Sequence, residues 1–159
     1  AVREATEATN DVAMTLGTFA FILASFGFAA SAPLAQARDE IRGPVEAQVI
    51  RVVDGDTLVV KAQIWLGQTV EVEVRLAGVD APELKGKCRE EREGAIRARD
   101  YLMRLSASGH VRLTDIKRDK YGGRVIANVS TDDTPDFSAA LRAHGLARAY
   151  GGAKRGSWC

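Results

Sequence analysis

Residues 45–77 read VEAQVIRVVDGDTLVVKAQIWLGQTVEVEVRLA. β-Branched and apolar residues crowd both sides of Asp54-Gly55-Asp56, and runs of that kind bounded by turn residues are strand material. Three strands are expected: Val45–Val53, Thr57–Leu66 and Thr69–Ala77. In the third, Val72, Val74 and Leu76 alternate with Glu71, Glu73 and Arg75, the period of two of a half-buried strand. Asp54-Gly55 suits the first turn, since glycine tolerates positive φ and aspartate bonds its own backbone. Gly67-Gln68 suits the second. Asp56 is left over: a tight turn needs one carboxylate, not two.

The rest of the chain extends this hairpin pair. A loop, GVDAPELKGK, leads into CREEREGAIRARDYLMRLSASG, where Ala95, Ala98, Leu102 and Leu105 recur at helical spacing and acidic residues fill the early turns. Ser106 to Gly109 stop that helix. Strands His110–Lys117 and Arg124–Ser130 follow, joined by RDKYGG, and a second helix from about Asp136 to His144 ends at Gly145. The order β-β-β-α-β-β-α predicts an α+β fold, a five-stranded OB-fold-type barrel with two helices.

With 159 residues the chain has room for one ordinary domain. Its 22 basic and 21 acidic residues, a net charge of +1, exclude a strongly cationic coat but not a local basic groove. Two cysteines and two histidines are too few for the usual Cys/His zinc site. His110 and His144 read as structural, at a strand edge and in a last helical turn.

Residues 12–35, VAMTLGTFAFILASFGFAASAPLA, are nearly free of charge and run into the small-residue steps Ala30-Ser31-Ala32 and Ala35-Gln36-Ala37. That pattern is a signal peptide's, although the residues before it are acidic rather than basic. The expected division is a signal-like segment 1–37, a linker 38–44 and a folded domain 45–159, with cleavage before Arg38 and a secreted or periplasmic product. The alternative is an uncleaved segment that anchors the chain to a membrane. Removing residues 1–37 takes away one basic and three acidic residues and leaves a net charge of +3. In an oxidising compartment Cys88 and Cys159 can pair; the alternative is two free thiols.

Asp56 finds a purpose beside the second acidic cluster. Antiparallel neighbours bring the start of one strand to the end of the next, so Asp56 and Asp80 can converge. Two carboxylates with a backbone carbonyl and waters make a hard-oxygen site suited to Ca²⁺. Arg75 and Asp80 stand five apart, so the strand must break between them, and Gly78 is the place. Arg75 and Arg124 flank the cluster, and a guanidinium grips phosphate in two places. Glu83 is placed to orient or deprotonate an attacking water. Each residue alone has a structural explanation, as turn former, helix-dipole partner or cross-strand ion pair. Jointly they read as phosphodiester hydrolysis.

In that order, VIRVVDGDTLVV, VRLAGVDAPE, DKYGGRVIANV and LRAHGLARAY resemble the thermonuclease (staphylococcal-nuclease-like) family over about Val45 to Tyr150. The resemblance implies an OB-fold barrel and a Ca²⁺-dependent endonuclease cutting single-stranded or frayed DNA and RNA at the bond to the 5′ oxygen, leaving 3′-phosphate ends. It implies Asp56 and Asp80 as calcium carboxylates and the Ala81 carbonyl as a third ligand. Glu83 is similar to the glutamate that activates water. Arg75 and Arg124 resemble the two phosphate-binding arginines, Arg124 also protonating the leaving oxygen. Lys120 and Tyr121 resemble residues that contact the nucleotide's phosphate and sugar, and Tyr150 is expected as a base-stacking or nucleotide-wall residue. Two departures stand out. The turn reads YGGR where the best-known member has YGR, and that member continues through a further helix after the second.

Two other readings compete. One is a catalytically inactive OB-fold domain that holds nucleic acid or protein, against which the joint survival of Asp56, Asp80, Glu83, Arg75 and Arg124 argues. The other is a membrane-tethered, non-enzymatic domain. No protein partner is implied, and a membrane only if the apolar segment is uncleaved.

Overall fold

The computed structural model describes residues 40–159; the apolar run, its cleavage steps and the expected boundary at residue 37 lie outside the described residues. In chain order these form β1 (Glu40–Ile41), β2 (Val45–Val52), β3 (Thr57–Trp65), β4 (Gln68–Leu76), β5 (Val79–Asp80), α1 (Arg89–Leu105), β6 (His110–Arg118), β7 (Arg124–Ser130), α2 (Phe137–Ala143) and β8 (Arg148–Ala149). Strands β2, β3 and β4 make an antiparallel meander. β4 then pairs in parallel with β7, β7 pairs with β6, and β6 returns to β2, closing a five-stranded barrel. With two helices this is the expected α+β, OB-like architecture.

The barrel closes around its own alternation. Leu58 and Val60 of β3, Val74 and Leu76 of β4, and Val111, Leu113 and Val129 of β6 and β7 are fully enclosed. α1 adds Ala98 and Leu102 and α2 adds Phe137 and Leu141 to the same core. Each such Leu, Val or Phe side chain contributes roughly 1.5–3 kcal/mol on burial. α1 stops where Ser106 turns its hydroxyl back onto the Leu102 carbonyl at 2.8 Å. α2 starts where the Asp136 carboxylate accepts from Ala139 N–H at 3.0 Å, a side-chain N-cap. Among the described residues no helix is long and apolar enough to cross a membrane.

Three details differ from the sequence reading. Part of the expected 38–44 linker belongs to the sheet: Glu40 and Ile41 pair with Lys117 and Ile116 of β6. Two short strands, β5 and β8, also form a ladder of their own with Asp80 opposite Arg148, too brief for any periodicity to announce. The third difference concerns the first turn. Gly67 does take positive φ (72°) between β3 and β4, but Gly55 does not. The β2–β3 connection is a longer loop, closed by Val53 N–H and Asp54 N–H on the Thr57 carbonyl at 2.9 and 3.3 Å. Gly55 is needed for space instead: a Cβ there would lie 2.6 Å from Cβ of Ala98 and 2.8 Å from Cβ of Ala81. The loop is wedged between α1 and the chain that follows Asp80.

Candidate active site

The β3–β4 register sets Thr57 opposite Arg75, and the Leu76 N–H bonds the Asp56 carbonyl at 2.8 Å. Asp56 therefore stands beside the end of β4, as the hairpin argument requires. Past Leu76 the strand breaks: Gly78 adopts φ 73°, and Val79–Asp80 leaves the barrel to pair with β8. The Ser138 hydroxyl of α2 pins this break through the Ala77 carbonyl at 2.8 Å. The break turns Asp80 toward Arg75, which strict alternation would have forbidden.

Arg75 is the hub. Its Nη1 donates to Asp56 Oδ1 at 2.8 Å, and its Nη2 donates to the Val79 carbonyl at 3.2 Å and lies 3.5 Å from Asp80 Oδ1. Asp56 is nearly sealed, at 3 % exposure, and also accepts from the Thr57 hydroxyl at 2.9 Å and from Ala81 N–H at 3.0 Å. Burial pushes the Asp56 carboxyl up to about 6; Arg75 opposes that rise, and the neighbouring Asp54 charge adds to it.

Arg124 opens β7 opposite Glu73 of β4. The loop before it is clipped shut by Asp119 N–H on the Arg124 carbonyl at 3.1 Å, with Gly123 at φ 81° absorbing the turn. The extra glycine of YGGR is thus accommodated, and Arg124 faces the same space as Arg75. Its Nε donates to the buried Asp119 carboxylate at 2.5 Å and its guanidinium lies 5.0 Å from the Tyr121 ring centroid. Tyr150 is set in place by its N–H on the Gly78 carbonyl at 3.0 Å, with Arg75 5.9 Å from its ring centroid.

The result is one open cleft of about 450 Å³ whose walls include Arg75, Glu83, Lys120, Tyr121, Arg124 and Tyr150. Asp56, Asp80 and Ala81, the three expected cation ligands, are buried beside it. Neither histidine lines it; His144 is tilted against Tyr101 with ring centroids 4.6 Å apart. Cys88 and Cys159 are joined in a disulfide, with Cα atoms 6.0 Å apart.

The oxygen set suits a cation, because it already holds one. Arg155 places Nε 2.5 Å from Asp80 Oδ1, donates through Nη2 to the Ala81 carbonyl at 2.9 Å and pairs with the Glu83 carboxylate. The Asp56, Asp80 and Glu83 carboxylates do not gather within 4.8 Å of one another; among the described residues only Cys88, Glu91 and Cys159 come that close, and there both sulfurs are spent on the disulfide.

Residues 73–157 match the family described as staphylococcal nuclease homologue. The chain belongs to that family. Over 140 residues it is 31% identical to Protein ParB of Escherichia coli, covering 84% of this chain and 71% of that protein. It is 38% identical over 65 residues to the probable endonuclease LCL3 of Leptosphaeria maculans, covering 41% of this chain and 22% of that one. The LCL3 protein of Phaeosphaeria nodorum is 42% identical over 59 residues, 37% of this chain and 20% of its own. The chain thus spans about a fifth of the length of these two fungal relatives.

Within this staphylococcal nuclease homologue, three residues that touch the site escaped the sequence reading. Asp119 had a local signal, a carboxylate five residues before Arg124 on the same loop. Arg155 and Trp158 had none. They meet Asp80 across 75 and 78 residues of chain, and only the disulfide and the β5–β8 ladder bring them there.

Proposed function

We propose that this protein is a Ca²⁺-dependent endonuclease that hydrolyses phosphodiester bonds of DNA or RNA and leaves 3′-phosphate ends. The observation that carries the reading is the cleft itself. Two guanidiniums, Arg75 and Arg124, and one carboxylate, Glu83, face a common space beside the buried Asp56 and Asp80. The family supports it, as do two relatives named as probable endonucleases.

Asp56, Asp80 and the Ala81 carbonyl would hold the cation, which supplies positive charge against the charge that builds on the phosphoryl oxygens. Arg75 and Arg124 bind those oxygens in a fork and stay charged at every working pH. Glu83 accepts a proton from the attacking water as its oxygen bonds phosphorus. The bond from phosphorus to the 5′ oxygen breaks, and the departing oxygen, held by a hydrogen bond from Arg124, takes up a proton from solvent while Glu83 gives its own back. Lys120 meets a neighbouring phosphate, while Tyr121 and Tyr150 offer faces to sugar and base. Unstacked bases reach such walls more easily than paired ones, which favours single-stranded or frayed substrates.

We further read residues 1–37 as an export signal cut before Arg38, a reading that the paired cysteines support. N-terminal sequencing of the exported protein tests it.

Cleavage of single-stranded DNA and RNA, with Ca²⁺ and then with excess chelator, tests the activity. Cutting that needs Ca²⁺, leaves ends requiring phosphatase before extension, and collapses in Glu83→Gln and Arg124→Ala is the expected result. A folded protein that binds DNA without cutting it would instead establish the inactive OB-fold alternative.

A further inference from the structure

The segment 154–159, Lys-Arg-Gly-Ser-Trp-Cys, takes no part in the chemistry above, yet it is tied down through four of its residues, two of which reach the site. Cys159 is bonded to Cys88, at the start of α1. The Trp158 indole N–H donates to Asp80 Oδ2 at 3.2 Å. Arg148 lies 3.7 Å from the Trp158 ring centroid and donates to the Ser157 carbonyl at 2.7 Å. Arg155 contacts Asp80 Oδ1, the Ala81 carbonyl and the Glu83 carboxylate. Every one of those three oxygens belongs to a residue assigned above to the cation or to the water, and both oxygens of Asp80 are engaged by this one segment.

We propose that Arg155 is a built-in occupant of the cation site, seated there by the Cys88–Cys159 tether, so that a divalent cation binds only when segment 154–159 swings out. The inference rests on the reading of Asp80 and Ala81 as cation ligands. Its physics is exclusion: a guanidinium and a divalent cation cannot share the same oxygens, because each then faces a like charge at contact distance. The tether makes the competition intramolecular. Anchored at β8 on one side and at Cys88 on the other, Arg155 is presented at an effective concentration that no free guanidinium reaches.

Opening the tether has a defined chemistry. A thiolate of a dithiol reductant attacks one sulfur of the disulfide and forms a mixed disulfide; its second thiol closes on the first. Two electrons pass from the dithiol, which leaves as a disulfide, and Cys88 and Cys159 become thiols. Segment 154–159 is then held at one end only. The device links cation affinity to the redox state of a bond that lies outside the catalytic cleft.

Calorimetric titration of the full protein with Ca²⁺, without nucleic acid, tests this. The oxidised wild type, the same protein treated with a dithiol, Arg155→Gln and Asp80→Asn are compared, each checked for folding by near-UV circular dichroism. Ca²⁺ affinity is expected to rise at least tenfold both on dithiol treatment and in Arg155→Gln, and to vanish in Asp80→Asn. Affinity unchanged or weakened in Arg155→Gln, with binding still lost in Asp80→Asn, overturns the proposal and leaves the cation site standing. Absence of Ca²⁺ binding in every sample overturns both.

Discussion

Arg124 Nε sits 2.5 Å from Oδ2 of Asp119, a carboxylate with 8 % exposure. Asp119 Oδ1 meanwhile accepts from Lys120 N–H at 2.6 Å, so one side chain both aims the arginine and pins the loop that carries Lys120 and Tyr121. Using Nε for Asp119, with Nη1 3.7 Å from Glu73 Oε1, leaves Nη2 of Arg124 for phosphate. Asp119→Ala should therefore cost roughly ten- to a hundredfold in single-turnover cleavage, the scale of a misplaced group rather than a deleted one. Arg124→Ala should cost more. If Asp119→Ala matches wild type, the pair is structural only.

The same pair has a signature in pH. Burial would raise the Asp119 carboxyl, but the hydrogen bonds from Arg124 and from Lys120 N–H, with the charges of Arg124 and Arg75, hold it below its ordinary value. A depressed acid contributes stability above its unfolded value and loses it as pH falls through the folded one, so this contribution disappears only below about pH 4. A carboxyl carbon NMR titration should place Asp119 below 3.8 in wild type. In Arg124→Ala the burial effect is less opposed, and the midpoint should move up.

The barrel was legible because alternation repeats: Val72, Val74 and Leu76 declare one face, and the strands around them obey the same rule. The helices were legible through the three- and four-residue spacing of Ala95, Ala98 and Leu102, all buried on one side of α1. Candidate site residues on those elements or directly beside them, Asp56, Arg75 and Arg124, could be placed by register. Gly55 shows where this fails. Its role is a clearance between α1 and Ala81, a contact between distant segments that local turn chemistry cannot express. Arg155 fails for the same reason on a longer scale. Its meaning comes from what a disulfide presses it against, and a basic, glycine-rich segment looks like solvent-exposed chain until that partner is known.

Gly55→Ala turns the clearance into a measurement. The new Cβ would meet two other Cβ atoms, fixed to backbone, rather than the ends of flexible side chains. Overpacking of that kind costs about 1–3 kcal/mol. Because Ala81 is one of the two neighbours, relief also shifts a proposed ligand, so Ca²⁺ affinity should fall along with the urea midpoint. Lost stability with unchanged affinity would mean that α1 yields and the site does not.

Arg75 is the residue whose replacement should separate charge from geometry. It touches Asp56, Asp80 and the Val79 carbonyl with one rigid fork, and a lysine ammonium can neutralise the site but cannot span those three oxygens. Arg75→Lys is expected to keep most of the stability and lose about a hundredfold or more in cleavage, on the scale of a lost transition-state donor. Arg75→Met removes the charge as well and leaves buried carboxylates uncompensated, a loss of about 3–5 kcal/mol. The pH dependence then identifies the carboxylate responsible. Asp56 is raised to about 6, so in chelator its ionisation weakens the fold above that pH, and the penalty is relieved as pH falls from about 6 toward 4. Arg75 opposes that rise, so in Arg75→Met the window should shift upward and the gain in stability on acidification should grow. Denaturation midpoints measured from pH 4 to 8 check this, and identical slopes in wild type and Arg75→Met would show that Asp56 is not the group that Arg75 compensates.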